Sequence, residues 1–176
     1  MSIPRRQLVS IAVVLVAMGV AVVIFIAAAS AATPPKKITA AGVGGVKLGR
    51  TYTSLRVAGL LGAIGPGCLL AGRHTRSAPL RLPLKGSVDL TTKTPRRVAV
   101  ITVSGGATAR GVGIGARSAA IRAAFPKMRL DHGTEDVFGI IVAHVPKGGG
   151  GPLEFAIAKD TGKVMLIAVP RIAFCD

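Results

Sequence analysis

The chain has 176 residues and a formal net charge of +16; 50% of its residues are hydrophobic, 17% charged and 3% aromatic. This length admits one domain or two very small ones, and the hydrophobic fraction excludes a mainly disordered chain. The charge is uneven: residues 1–88 hold 11 Lys or Arg and no acid, whereas residues 89–176 hold 12 bases and all 7 acids.

Much of the hydrophobicity lies at the front. Arg5 and Arg6 precede an uncharged run of 22 residues from Leu8 to Ala29, followed by Ser30-Ala31-Ala32-Thr33-Pro34-Pro35-Lys36-Lys37. A basic start, an apolar run and a small-residue exit are the layout of a secretory signal, and Ala29-Ser30-Ala31 fits peptidase cleavage after Ala31. The run is also long enough to span a bilayer uncleaved, with residues 8–29 as the membrane contact. Residues 1–31 are therefore expected to be a signal peptide or a membrane anchor, and residues 32–37 a linker. Either way the positive N-terminus stays cytoplasmic and residues 38–176 face outward, so the protein is secreted or held at the outer side of the cytoplasmic membrane. No Cys follows the apolar run, which argues against a lipoprotein anchor. A second uncharged stretch, Val57 to Gly72, holds five Gly and Pro66, so it reads as a helix end followed by a buried loop rather than a membrane span.

The exported part repeats itself. Thr39-Ala40-Ala41-Gly42-Val43 matches Thr108-Ala109-Arg110-Gly111-Val112, Leu48-Gly49 matches Ile114-Gly115, and Leu55-Arg56 matches Ile121-Arg122. The order and spacing divide the body into two similar halves, 38–107 and 108–176. Each half opens with a Gly-rich turn and a short helix. In the first, Thr51 or Thr53 is the expected N-cap, Leu55 faces inward and Gly59 stops the helix. In the second, Arg117 or Ser118 begins the helix, Ile121 and Phe125 form its apolar face, and Pro126 ends it.

Strands are expected at Ser87 to Leu90 and Val98 to Val103, joined by the polar Thr91 to Arg97 connection. They are expected again at Val137 to Val145 (with Gly139 as a weak spot), Leu153 to Ala158 and Val164 to Val169. Lys159-Asp160-Thr161-Gly162-Lys163 is the clearest hairpin signal, and Gly148 to Gly151 reads as a flexible tip. The fold class is α+β: antiparallel strands in a duplicated module, with two short helices on one side.

The segment Val46-Lys47-Leu48-Gly49-Arg50-Thr51-Tyr52-Thr53-Ser54-Leu55-Arg56 resembles the strand, Leu-Gly-x-Thr, short-helix opening of small exported bacterial proteins. The closing strand with Asp160-Thr161-Gly162-Lys163-Val164 and Cys175 is also similar to theirs. Such tandem helix-plus-sheet modules include the β-lactamase inhibitory protein and the small lipoproteins of outer-membrane assembly. The resemblance implies a binding or structural module, not catalysis. The aromatic-rich binding surface of the inhibitor is not matched, because residues 38–176 hold only Tyr52, Phe125, Phe138, Phe155 and Phe174.

Two cysteines in an exported chain, Cys68 and Cys175, read as a disulfide. It would close a loop of about 107 residues, worth about 4–5 kcal/mol in the chain-entropy model. Three motifs invite a catalytic or cofactor reading. Gly111-Val112-Gly113-Ile114-Gly115-Ala116 fits a dinucleotide fingerprint, but no strand leads into it and Pro126 cuts the following helix short, so a structural turn is expected. Asp131-His132-Gly133-Thr134-Glu135-Asp136 is the one acidic island; it matches no EF-hand or zinc spacing and reads as a solvated loop between helix and strand. Ser104-Gly105-Gly106 lacks the first Gly of a nucleophile elbow, Thr102 standing in its place. His74 and His144 carry no pattern of their own.

The sequence thus points to an exported, non-enzymatic envelope or secreted module without cofactor, metal or catalytic residues. Its dispersed basic side chains suit an anionic envelope polymer, lipid headgroups or a protein partner. No nucleic acid is expected, given export and the scarcity of aromatics on which bases could stack. The alternative is an extracytoplasmic hydrolase or metal-dependent enzyme using the Asp131–Asp136 region. The all-basic first half and the acid-containing second half suggest that the two face different neighbours.

Overall fold

In the computed structural model, residues 34–68 and 75–174 are described. The expected signal or anchor segment, the cleavage site expected after Ala31, His74 and Cys175 lie outside them. Residues 33–176 belong to one compact unit.

The chain enters through β1 (Lys36–Thr39), β2 (Gly42–Val43) and β3 (Val46–Lys47). Lys36 and Lys37, expected in the linker, are strand residues instead, because they pair in parallel with Ala107 and Thr108 of β8 (Ala107–Thr108). Helix α1 (Tyr52–Val57) is capped by Thr51, whose Oγ1 accepts the Ser54 N–H at 3.4 Å. Its buried residue is Leu55, and Gly59 leaves the helix at φ 71°. The segment after α1 is not the buried loop expected: Leu61 and Gly62 turn inward, but Val57 and Ile64 are exposed. The Tyr52 hydroxyl fixes this segment by donating to Gly62 O and accepting from Ile64 N–H.

Four strands follow: β4 (Gly65–Pro66), β5 (Arg76–Pro79), β6 (Lys85–Leu90) and β7 (Val98–Gly105). Past β8 comes α2 (Ser118–Ala124), with Arg117 at its N-cap and Ile121 and Phe125 buried. Then come β9 (Arg129–Asp131), the helical turn α3 (Glu135–Phe138), β10 (Ile140–Val145), β11 (Leu153–Ala158) and β12 (Val164–Val169). The strand expected at Val137 begins only at Ile140. Gly139 takes φ 64° and its N–H closes α3 on Glu135 O at 2.9 Å, so Val137 and Phe138 are helical. The glycine tip carries a short helical turn. Lys147–Gly149 forms a single 3₁₀ turn, and Gly151 is buried where a side chain would run into the Val145 carbonyl.

The large sheet has eight antiparallel strands in the order β4-β5-β6-β7-β12-β11-β10-β9. Each helix is thus followed by a four-strand meander, and the last strands of the two meanders, β7 and β12, pair at the centre. The local geometry matches on both sides of that seam. Gly49 and Gly115 both take positive φ, 76° and 84°. The Gly49 N–H donates to Val98 O and the Gly115 N–H to Val164 O, each at 2.8 Å. Val98 and Val164 return bonds to Arg50 O and Ala116 O.

Strand alternation sets the two faces of this sheet. On the inner face, Ala78, Val88, Ile101 and Val169 form one cross-strand row and Val103, Ile167, Phe155 and Ala143 another, all fully buried. Leu55, Ile121 and Phe125 from the helices join them in a single core, where the Phe125 and Phe155 rings meet at 5.6 Å. The two halves therefore share one apolar interior. The outer face carries Ser87, Thr102, Ala168, Glu154, His144 and Arg129 in register across six strands. After β12 the tail packs on this face, where Ile172 and Phe174 pack with Val142, Ala156 and Ala168. Covering on both sides explains why β10–β12 are near-continuous apolar runs rather than alternating ones.

Candidate functional site

The acidic island does not act as one cluster. Asp131 ends β9 and turns to β10, whereas Glu135 and Asp136 open α3 and turn to the β11–β12 hairpin. His132 Nδ1 lies 2.6 Å from Glu135 Oε2, and the Lys159 ammonium is 3.3 Å from both Glu135 and Asp136. The Glu135 carboxyl is held below its usual range, first by His132 and then by Lys159; Lys159 is raised in return, first by Glu135. These are surface pairs, and pairs of this kind contribute little to stability. Among the described residues no three His, Cys, Asp or Glu side chains converge to hold a metal ion.

Asp131 instead joins His144 and Glu154, which β10 and β11 bring side by side on the outer face. His144 Nδ1 is 2.8 Å from Glu154 Oε1, and its Nε2 is 3.4 Å from Asp131 Oδ2. The second Glu154 oxygen accepts the Ile172 N–H at 2.7 Å, tying the tail to the same carboxylate. Asp131 is lowered chiefly by the Gly133 N–H at 2.8 Å and then by His144. Across the sheet, burial on β6 raises the Asp89 carboxyl.

Beside the His144 cluster opens a cleft of about 710 Å³. Val145, Leu153 and the rings of Pro146, Pro152 and Pro170 line it, with Lys127 and Arg129 on the β9 side and His144 and Glu154 between. Among the described residues that line it there is no Ser, Thr or Cys, and the imidazole faces carboxylates. The arrangement can hold a ligand by charge and apolar contact.

The other sequence candidates fall elsewhere. Gly111 and Gly115 take positive φ in a turn between β8 and α2, with the Gly115 N–H committed to Val164 O. Ser104 and Gly105 end β7, and the Gly106 carbonyl accepts the Lys36 N–H at 2.9 Å. Cys68 is disulfide-bonded, and its sulfur lies 3.6 Å from Phe174 O; Cys175, the only other cysteine, follows Phe174 directly. Sequence reasoning overlooked His144, Glu154, Lys127 and Arg129 as a group. The available signal was Glu154, the one charged residue within the apolar strand Leu153–Ala158. Its register opposite His144 depends on the length of the Pro146–Pro152 connection.

No family model, curated protein or solved structure matches this chain.

Proposed function

We propose that this chain is an exported, non-enzymatic binding module of the cell envelope. It is built from two copies of a helix-plus-four-strand unit, residues 38–107 and 108–176, fused through β7 and β12. A Cys68–Cys175 disulfide staples the end of the second copy to the first. The equivalent glycines and strand-start hydrogen bonds of the two halves support the duplication. The bonded Cys68 beside Phe174 supports the staple.

The observation that carries the binding role is the outer sheet face: Glu154, His144 and Arg129 stand in register beside an open, proline-lined cleft with cations at its edge. With four of the acids already paired to His132, His144 and Lys159, the excess basic charge suits an anionic envelope component. The experiment is fractionation of cells producing the full chain. The body should be accessible to external protease and recovered with the envelope at low salt, then released as salt screens the contacts. Recovery in the cytoplasm, or in the medium with no affinity for envelopes, overturns the reading.

A further inference from the structure

On that reading of the chain as a binding module, we infer that the cleft beside His144 is the site for an anionic glycopolymer: a chain of sugar or polyol units bearing phosphate or carboxylate groups. Its floor and rim differ in chemistry. Pro146, Pro152 and Pro170 give a stiff apolar floor, suited to the C–H faces of sugar or polyol units. Lys127 and Arg129 stand at the rim, and among the described residues neither forms an ion pair.

The acids nearby are already engaged. Both Glu154 oxygens are taken, by His144 and by the Ile172 N–H, and both Asp131 oxygens are taken, by the Gly133 N–H and His144. The cations continue past the cleft. A neighbouring recess of about 200 Å³ is lined by Arg110, Pro126, Lys127, Gly148 and Gly149, so Lys127 borders both hollows. Arg110 is held in place. Its backbone takes φ 49°, uncommon for a residue with a side chain, its Nη1 donates to Ala124 O at 3.2 Å, and its guanidinium lies 5.0 Å over the Phe125 ring.

Three cations spread over two adjoining hollows match charges repeated along a chain; a single small anion needs fewer. The fold does not demand these charges. At the offset that aligns Leu55 with Ile121, the first half has Leu61 and Ala63 where the second has Lys127 and Arg129.

The test titrates the full-length protein in detergent, or the processed form if cells cleave it, with poly(glycerol phosphate), polygalacturonate and neutral dextran. Saturable binding to one or both charged polymers and none to dextran is expected, and the two charged arms decide between phosphate and carboxylate. Lys127→Gln with Arg129→Gln should weaken binding about 30-fold. Lys85→Gln with Lys93→Gln, the same charge change away from the cleft, should stay within about twofold of wild type. Both double variants alter exposed side chains, and unchanged circular dichroism and melting confirm folding. Equal losses from the two pairs, or no binding to either charged polymer, overturn the proposal. If envelopes retain wild type and the Lys127/Arg129 variant equally, the cleft is wrong and the module reading stands; if they retain neither, both fall.

Discussion

Leu55 in α1 and Ile121 in α2 occupy corresponding positions in the two halves, are 1% and 0% exposed, and enter the same core cluster. Truncating either to Ala removes apolar atoms from a packed interior and leaves a cavity, which costs about 2–5 kcal/mol. Against a total of about 5–15 kcal/mol for a domain of this kind, each change removes a large share of the stability. Because β7 and β12 pair at the sheet centre and Val103 packs opposite Ile167, neither half can lose its helix contact without loosening the other. Leu55→Ala and Ile121→Ala should each lower the urea midpoint of one cooperative transition, by comparable amounts and with an unchanged slope. Far-UV circular dichroism of the oxidised protein gives the curve. Two separate transitions, with Leu55→Ala moving one and Ile121→Ala the other, would refute the shared core.

Four further outcomes follow from single features. Burial raises the Asp89 carboxyl above its ordinary 3.8, so folding disfavours its charge: the penalty is full above the raised folded value and vanishes below the ordinary one. Asp89→Asn should therefore stabilise the protein at neutral pH, and melting curves should show the gain disappearing toward about pH 4. Non-reducing peptide mapping should recover Cys68 linked to Cys175, and reduction should cost up to about 4–5 kcal/mol in denaturant titrations; a free Cys68 thiol would remove the staple. Gly106 takes φ 78° with its missing side chain aimed at the Pro83 carbonyl, so Gly106→Ala should destabilise by more than about 1 kcal/mol, read by the urea midpoint. Intact mass of the exported protein should correspond to a chain beginning at Ala32; a full-length mass would favour the anchor.

Helices α1 and α2 were legible because their signals are local. Thr51, Gly59, Arg117 and Pro126 mark the boundaries, and one apolar residue per helix points inward. The strands Leu153–Ala158 and Val164–Val169 were read at their observed bounds, since a polar Asp-Thr-Gly turn separates two apolar runs. The short strands β1–β5, β8 and β9 were missed because two to four residues hold no period; their pairing is decided by tertiary contact. Gly139 was recognised as a weak spot, but whether it breaks a strand or ends a helix depends on the Glu135 carbonyl that its N–H reaches. The cleft was the least legible. His144, Glu154 and Arg129 meet only through strand register, and Pro170 only through the path of the tail.

Side-chain footprinting of the protein with and without isolated envelopes tests the binding face most directly. The account predicts that Lys127, Arg129 and His144 become protected while the exposed residues of α1 and α2 react as before. Protection confined to the helices, or none on any surface while the protein stays bound, would contradict it.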